Sequence, residues 1–164
     1  MRNSIAFILL LIGSSIIELS VVNTLSYPYF LFPIAFSIGV LMFHTLPILY
    51  GILWFILLPI MLSILGSESI NILPYIIVLI AGTTLTMRVF TRRSMYALLG
   101  LGIILISLLS GTQILFGNSP FGNNPGLGSF GWAILELIIA LIVGFSLIQK
   151  LKPFGSLFLI PRKS

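Results

Sequence analysis

The sequence predicts an all-α fold: a polytopic membrane protein, built as a compact bundle of six transmembrane helices with its N- and C-termini cytoplasmic. Three observations predict it. Of 164 residues, 59% are hydrophobic and only 7% are charged, where a soluble domain carries about 25% charged residues. Lipid must therefore solvate most of the surface. Apolar runs recur between clusters of Pro, Gly, Asn and Ser, and most approach the roughly 20 residues that a helix needs to cross the hydrocarbon core. Finally, a count of six crossings gathers every basic residue on one side. The whole chain, residues 1–164, reads as a single transmembrane domain.

The first run is residues 4–22. Arg2 before it resembles the basic start of a signal peptide, but no small-x-small cleavage site follows. Further apolar runs come instead of a soluble domain, so a retained first span is expected. "NTLSYPYF" is a turn in which Tyr27 and Tyr29 suit a membrane interface. The run from Tyr29 to Leu65 is too long for one crossing, and "HTLP" (His44 to Pro47) is the natural corner. This gives spans at 29–43 and 47–65, with His44 expected as an interfacial turn residue.

"GSESIN" (Gly66 to Asn71) is a polar turn, followed by a fourth span at 72–89 and a fifth at 95–116. "GNSPFGNNPGLGS" (Gly117 to Ser129) has loop chemistry. The sixth span is expected at 130–149, leaving a basic cytoplasmic tail at 150–164. Its apolar middle, "FGSLFLI", is too short to cross and suits a surface-lying segment.

Charge placement supports this count. With Arg2 in the cytoplasm, six crossings put Arg88, Arg92, Arg93, Lys150, Lys152, Arg162 and Lys163 on the same side, and Glu68 on the other. The net charge of +5 then reports topology, and nucleic acid is not an expected partner. "MRVFTRRS", with Arg88, Arg92 and Arg93, reads as a cytoplasmic basic loop near anionic lipid.

Two acids lie inside apolar runs. Glu136 interrupts "GWAILELIIALIVG", and Glu18 lies near the end of the first run. The expected registers bring both, together with Gln113 of the fifth span, to the outer half of the membrane. A charge at the bilayer centre costs roughly 2.5–3.5 kcal/mol on insertion scales. The cost is met by facing another helix, by taking a proton, or by lining a wet cavity. Ala133, Ala140 and Gly144 form a small-residue stripe beside Glu136, which favours close helix packing. Glu18 shares a face with Ser14 and Ser15. The three polar residues therefore suggest either hydrogen-bonded glue between helices or contact with a partner helix or solute. Gly100 with Gly102, and Ser107 with Gly111, are further candidates for close packing in the fifth span. Pro33, Pro59 and Pro74 are candidate kinks or helix ends.

Catalytic chemistry has little to draw on. Cysteine is absent and His44 is the one histidine, so no His/Cys metal set is available. "GLG" occurs twice without extending to a dinucleotide fingerprint. No enzyme activity, metal or cofactor is expected.

The layout resembles the MreD family, small polytopic proteins of the bacterial rod-shape complex. The resemblance rests on the short, all-membrane chain, the proline-marked turn after the first span and the third span's "YGILWFILLP". It also rests on the hydroxyl-rich "LIAGTTLTMRVF" followed at once by "FTRRS". It implies a non-enzymatic scaffold in the cell inner membrane, acting in cell shape and peptidoglycan elongation. The implied partners are a single-span MreC-like protein, MreB filaments and the cell-wall elongation enzymes. Six short spans also resemble the solute-binding component of energy-coupling-factor transporters, which implies a small solute held near the outer face.

Overall fold

A computed structural model describes residues 2–20, 34–66, 71–90, 94–115 and 127–151. They form six α-helices: α1 (Arg2–Ser20), α2 (Ile34–Thr45), α3 (Ile48–Gly66), α4 (Leu73–Arg88), α5 (Met95–Leu115) and α6 (Leu127–Leu151). Three are long and apolar enough to cross a membrane, over Ile48–Leu65, Met95–Thr112 and Gly131–Gln149; α1, α2 and α4 are shorter and apolar.

Local chemistry sets the ends. Thr45 closes α2, and Pro47, which lacks an N–H, accepts from Tyr50 N at 2.9 Å as α3 begins. Pro74 occupies the first turn of α4, where its missing N–H has no helical partner to lose. Asn71 Oδ1 takes the Leu73 N–H at 3.1 Å. Ser94 Oγ accepts from Ala97 N at 3.1 Å, the arrangement of an N-cap, and starts α5. Pro59 lies within α3, where it offers no N–H to the preceding turn. Hydroxyls inside the helices bond back to their own backbones, as Thr83 does to Leu79 O at 2.7 Å and Ser107 to Ile103 O at 2.7 Å.

The shortest helix is the centre of the bundle. α2 packs against each of the other five. Around it α1 meets α3, α3 meets α4, α4 meets α5, and α5 meets α6. Among the described residues α1 and α6 do not meet. The five form an open ring, with its break between the first helix and the last.

Small residues let the ring close tightly on α2. The Phe43 ring presses on Gly51 of α3 and Gly82 of α4, where an added Cβ would fall 2.5 and 3.0 Å from ring carbons. It also stacks on Phe55 at 5.4 Å between centroids. Gly102 of α5 receives Leu137 and Leu141 of α6 and Val40 of α2, and Gly144 of α6 receives Leu41. Of α2, only Ile34, Ile38, Met42 and Thr45 are not fully buried. Ile34, Ile38 and Met42 make one stripe, i, i+4, i+8.

Several expectations are corrected. His44 is not in the turn: it is 3% exposed, in the last turn of α2 and tilted against Phe145 at 6.4 Å. Its helix sits at the centre of the ring, so its end is enclosed as well. The residues "LGS" (127–129), expected in a loop, open α6. Gly111 makes no close helix contact, since a Cβ there would meet nothing within 4 Å. Pro33 lies outside the described residues.

Candidate functional site

The C-terminal end of α1 and the start of α2 come together around Glu18. Glu18 is four residues past Ser14 and three past Ser15, on the α1 face that turns inward; both serines are buried. Neither serine bridges helices. Their hydroxyls donate to Leu11 O within α1, at 3.0 and 2.8 Å. Glu18 does cross: its Oε2 accepts from the backbone N–H of Ala35 at 2.7 Å. Ala35 stands in the first turn of α2, where N–H groups lack helical acceptors and the helix carries partial positive charge. Glu18 therefore serves as a helix cap supplied by a neighbouring helix.

The same residue is held from its other side. Trp54 Nε1 of α3 donates to Ala35 O at 2.8 Å, with the indole fully buried. Phe7 of α1 meets that indole edge-on at 5.7 Å. Tyr75, buried at the start of α4, lies within electrostatic range of Glu18. Ala35 thus links α1, α2 and α3 through its two backbone groups. Nothing in the side-chain pattern pointed to it, because an alanine carries no polar signal.

Glu136 behaves differently. It is 4% exposed, and neither carboxyl oxygen has a hydrogen-bond partner among the described residues. Ala133 beside it is buried, while Ala140 and Gly144 are partly so. This small-residue edge lets α2 approach: Leu41 sits on Gly144. The contacts Leu41–Gly144 and His44–Phe145 show that α2 and α6 run in the same direction. Counting back from Gly144 by about 12 Å, at 1.5 Å per residue, brings Glu136 level with the first turn of α2. The two acids thus approach the same end of the central helix, one satisfied and one not.

Position on α6 also matters. Leu137 and Leu141 face α5, and Gly144 faces α2. Glu136 shares a stripe with Val143 and Leu147, which are 51% and 54% exposed.

Of the remaining candidates, Gln113 belongs to α5 but its side chain lies outside the described residues. Arg88 is exposed in the last turn of α4, where a cation complements the helix C-terminus. Arg92 and Arg93 lie outside the described residues. Among those described, no group of three or more His, Asp or Glu side chains could hold a metal. No protein-family model, curated protein or solved structure matches this chain.

Proposed function

We propose that the chain is a multi-pass protein of the cell inner membrane, crossing six times with both termini in the cytoplasm. It acts as a non-enzymatic scaffold of the MreD type, which binds partner membrane proteins of the cell-shape and cell-wall elongation machinery. An MreC-like single-span protein is the first such partner. The basic residues support the orientation, since all eight fall on one side of a six-crossing count.

One observation carries the scaffold reading over a solute-binding one. Glu18 is committed to the Ala35 N–H. A cation site built from both acids would have to share a carboxylate whose Oε2 already accepts the Ala35 N–H. Glu18 and Trp54, through the two backbone groups of Ala35, tie α1 and α3 to α2 at this end. The competing reading, a solute-binding component of the energy-coupling-factor type, is favoured by a single feature, the enclosed Glu136 carboxyl, which has no hydrogen-bond partner among the described residues.

Gentle detergent purification of the full chain from its native membrane separates the two. Co-purification of a single-span protein with an MreC-type domain is the expected result. A stoichiometric small cation, lost on Glu136→Gln, would instead establish the solute binder.

A further inference from the structure

The Phe43 ring fixes a common level on two neighbouring helices. It lies against Gly51, near the start of α3, and against Gly82, in the second half of α4. The two helices run in opposite directions. The chain between Gly66 and Asn71 reaches about 18 Å at most, and a parallel pair would require it to cover more than about 35 Å. From the Phe43 level α3 continues about 21 Å to Leu65, whereas α4 extends only about 14 Å back to Leu73. In the other direction α3 ends at Ile48 after about 5 Å, and α4 reaches Arg88 after about 9 Å. Arg88 and Leu65 thus stand about 30 Å apart along the bundle, the full thickness of a hydrocarbon core. The 16 residues of α4 cover about 24 Å of it, and its start stops about 7 Å short of the end of α3.

Surface chemistry follows the same step. At the far end of α3, Ile64 and Leu65 are 69% and 45% exposed, so acyl chains cover that helix to its full height. On α4 the exposed apolar surface runs through Ile80, Ile76, Leu73 and Ile72, and Asn71 ends it, its Oδ1 accepting from Leu73 N at 3.1 Å. An amide this short does not reach the level of Leu65. At the opposite end the exposed Arg88 can extend its charge along the surface to the head groups, so the shortfall falls on the Asn71 side. A bilayer meets a short helix by thinning, by snorkelling of flanking residues or by association of the protein. Asn71 is too short to snorkel, and tilting α4 would shorten its reach further. We propose that the outer leaflet is thinned against the start of α4, with phospholipid head groups lying deeper there than beside α3, so that this flank favours lipids with short acyl chains. The inference rests on α4 crossing the membrane, and so on the six-crossing reading.

The test uses the full chain in dioleoylphosphatidylcholine vesicles. Trp132, 43% exposed, is replaced by Phe, and the fully buried Trp54 stays as a constant, shielded background. A reporter is then introduced as Ile56→Trp on α3 or Ile76→Trp on α4. Both positions are exposed and lie about 8 and 9 Å from the Phe43 level, on the same side of it. Each reporter is quenched by lipid carrying a nitroxide either at the head group or deep in the chain. The ratio of head-group to chain quenching should be about twofold higher for Ile76→Trp than for Ile56→Trp. The two ratios should converge in dimyristoleoylphosphatidylcholine, whose thinner layer lowers the head groups beside α3 as well. Ile80→Trp, midway along α4, should be quenched best from the chain.

Equal ratios at Ile56→Trp and Ile76→Trp, with Ile80→Trp deep, would overturn the thinning and leave the crossing intact. A difference that persists unchanged in the thin bilayer would mean a fixed wet cleft and would overturn it too. So would an Ile76→Trp reporter quenched from neither position, which would mean that a second copy or another protein covers this flank. An Ile80→Trp reporter as shallow as Ile76→Trp would mean that α4 lies along the surface, and the six-crossing reading would fall with the proposal.

Discussion

The carboxylate of Glu18 and the backbone N–H of Ala35 meet at 2.7 Å, joining the end of α1 to the start of α2. The N–H belongs to a helix start, where no carbonyl lies one turn earlier, and Ala35 itself is fully buried, so water does not replace the carboxyl oxygen as its acceptor. Replacing Glu18 with Ala should lower stability by about 1–2 kcal/mol, the usual cost of losing a cap or leaving a buried donor unmade. Glu18→Gln keeps an oxygen acceptor and should retain most of that stability. Thermal unfolding in mild detergent checks both variants. An equal loss in the two would mean that charge, and not acceptance of the N–H, is what Glu18 supplies.

Trp54 holds the other backbone group of Ala35 and fills the space between α1, α2 and α3. Its indole is fully buried. Trp54→Phe keeps a ring against Phe7 but leaves the Ala35 carbonyl without its side-chain donor, so a loss of about 1–3 kcal/mol is expected. Trp54→Ala adds a large cavity and should cost about 3–5 kcal/mol. The ordering of the two in a detergent unfolding series is the measurement. If Phe and Ala substitutions cost the same, the ring does not contribute packing at this site.

The helices were legible where the signal is local. Apolar run length and the Pro and Gly breaks marked 47–65 and 95–116, and the helices are Ile48–Gly66 and Met95–Leu115. Proline chemistry at Pro47 and Pro74 is equally local. What the sequence concealed is relational. Nothing in "IAFSIGVLMFHT" says that this short helix is the hub, since every helix here is apolar nearly all round and no amphipathic stripe distinguishes inside from outside. Glu18 and Glu136 stand out as acids in apolar runs. Yet their difference, one bonded to an amide and the other lacking a donor among the described residues, depends on which backbone end each meets. An amide N–H leaves no mark in the sequence, and so Ala35 escaped notice.

Glycines at different places on the ring should respond to the same substitution with opposite signs. A Cβ at Gly39 would fall 2.6 Å from the Trp54 ring and 2.8 Å from that of Phe55. Flat rings locked between helices have little room to move, so Gly39→Ala should cost about 1–3 kcal/mol through overpacking. At Gly111 of α5 a Cβ would meet nothing within 4 Å. There the substitution acts on the backbone alone, and Gly111→Ala should stabilise by about 0.5–1 kcal/mol. Unfolding midpoints of the two variants, compared with the parent, test the open surface of α5 and the closed α2–α3 contact together.

The proposed six-crossing topology makes a prediction at the short helices, where length alone leaves the matter open. The 16 residues of α4 rise only about 24 Å, less than the roughly 30 Å of hydrocarbon. Its ends decide whether it crosses. Asn71 precedes it and Arg88 closes it, and a basic residue at one end anchors that end on the cytoplasmic side. The chain has no cysteine, so single cysteines can be read without background. In intact cells a membrane-impermeant maleimide should label Asn71→Cys, and also Leu115→Cys at the far end of α5. Val89→Cys, beside Arg88, should react only after the membrane is opened. Labelling of Asn71→Cys and Val89→Cys from the same side would mean that α4 does not cross. The count would then fall to an odd number or lose a hairpin, and the basic residues would no longer share one compartment. Labelling on opposite sides, with Leu115→Cys matching Asn71→Cys, requires the α4–α5 pair to pass through and return, which is the step on which the common side of Arg2 and the C-terminal lysines depends.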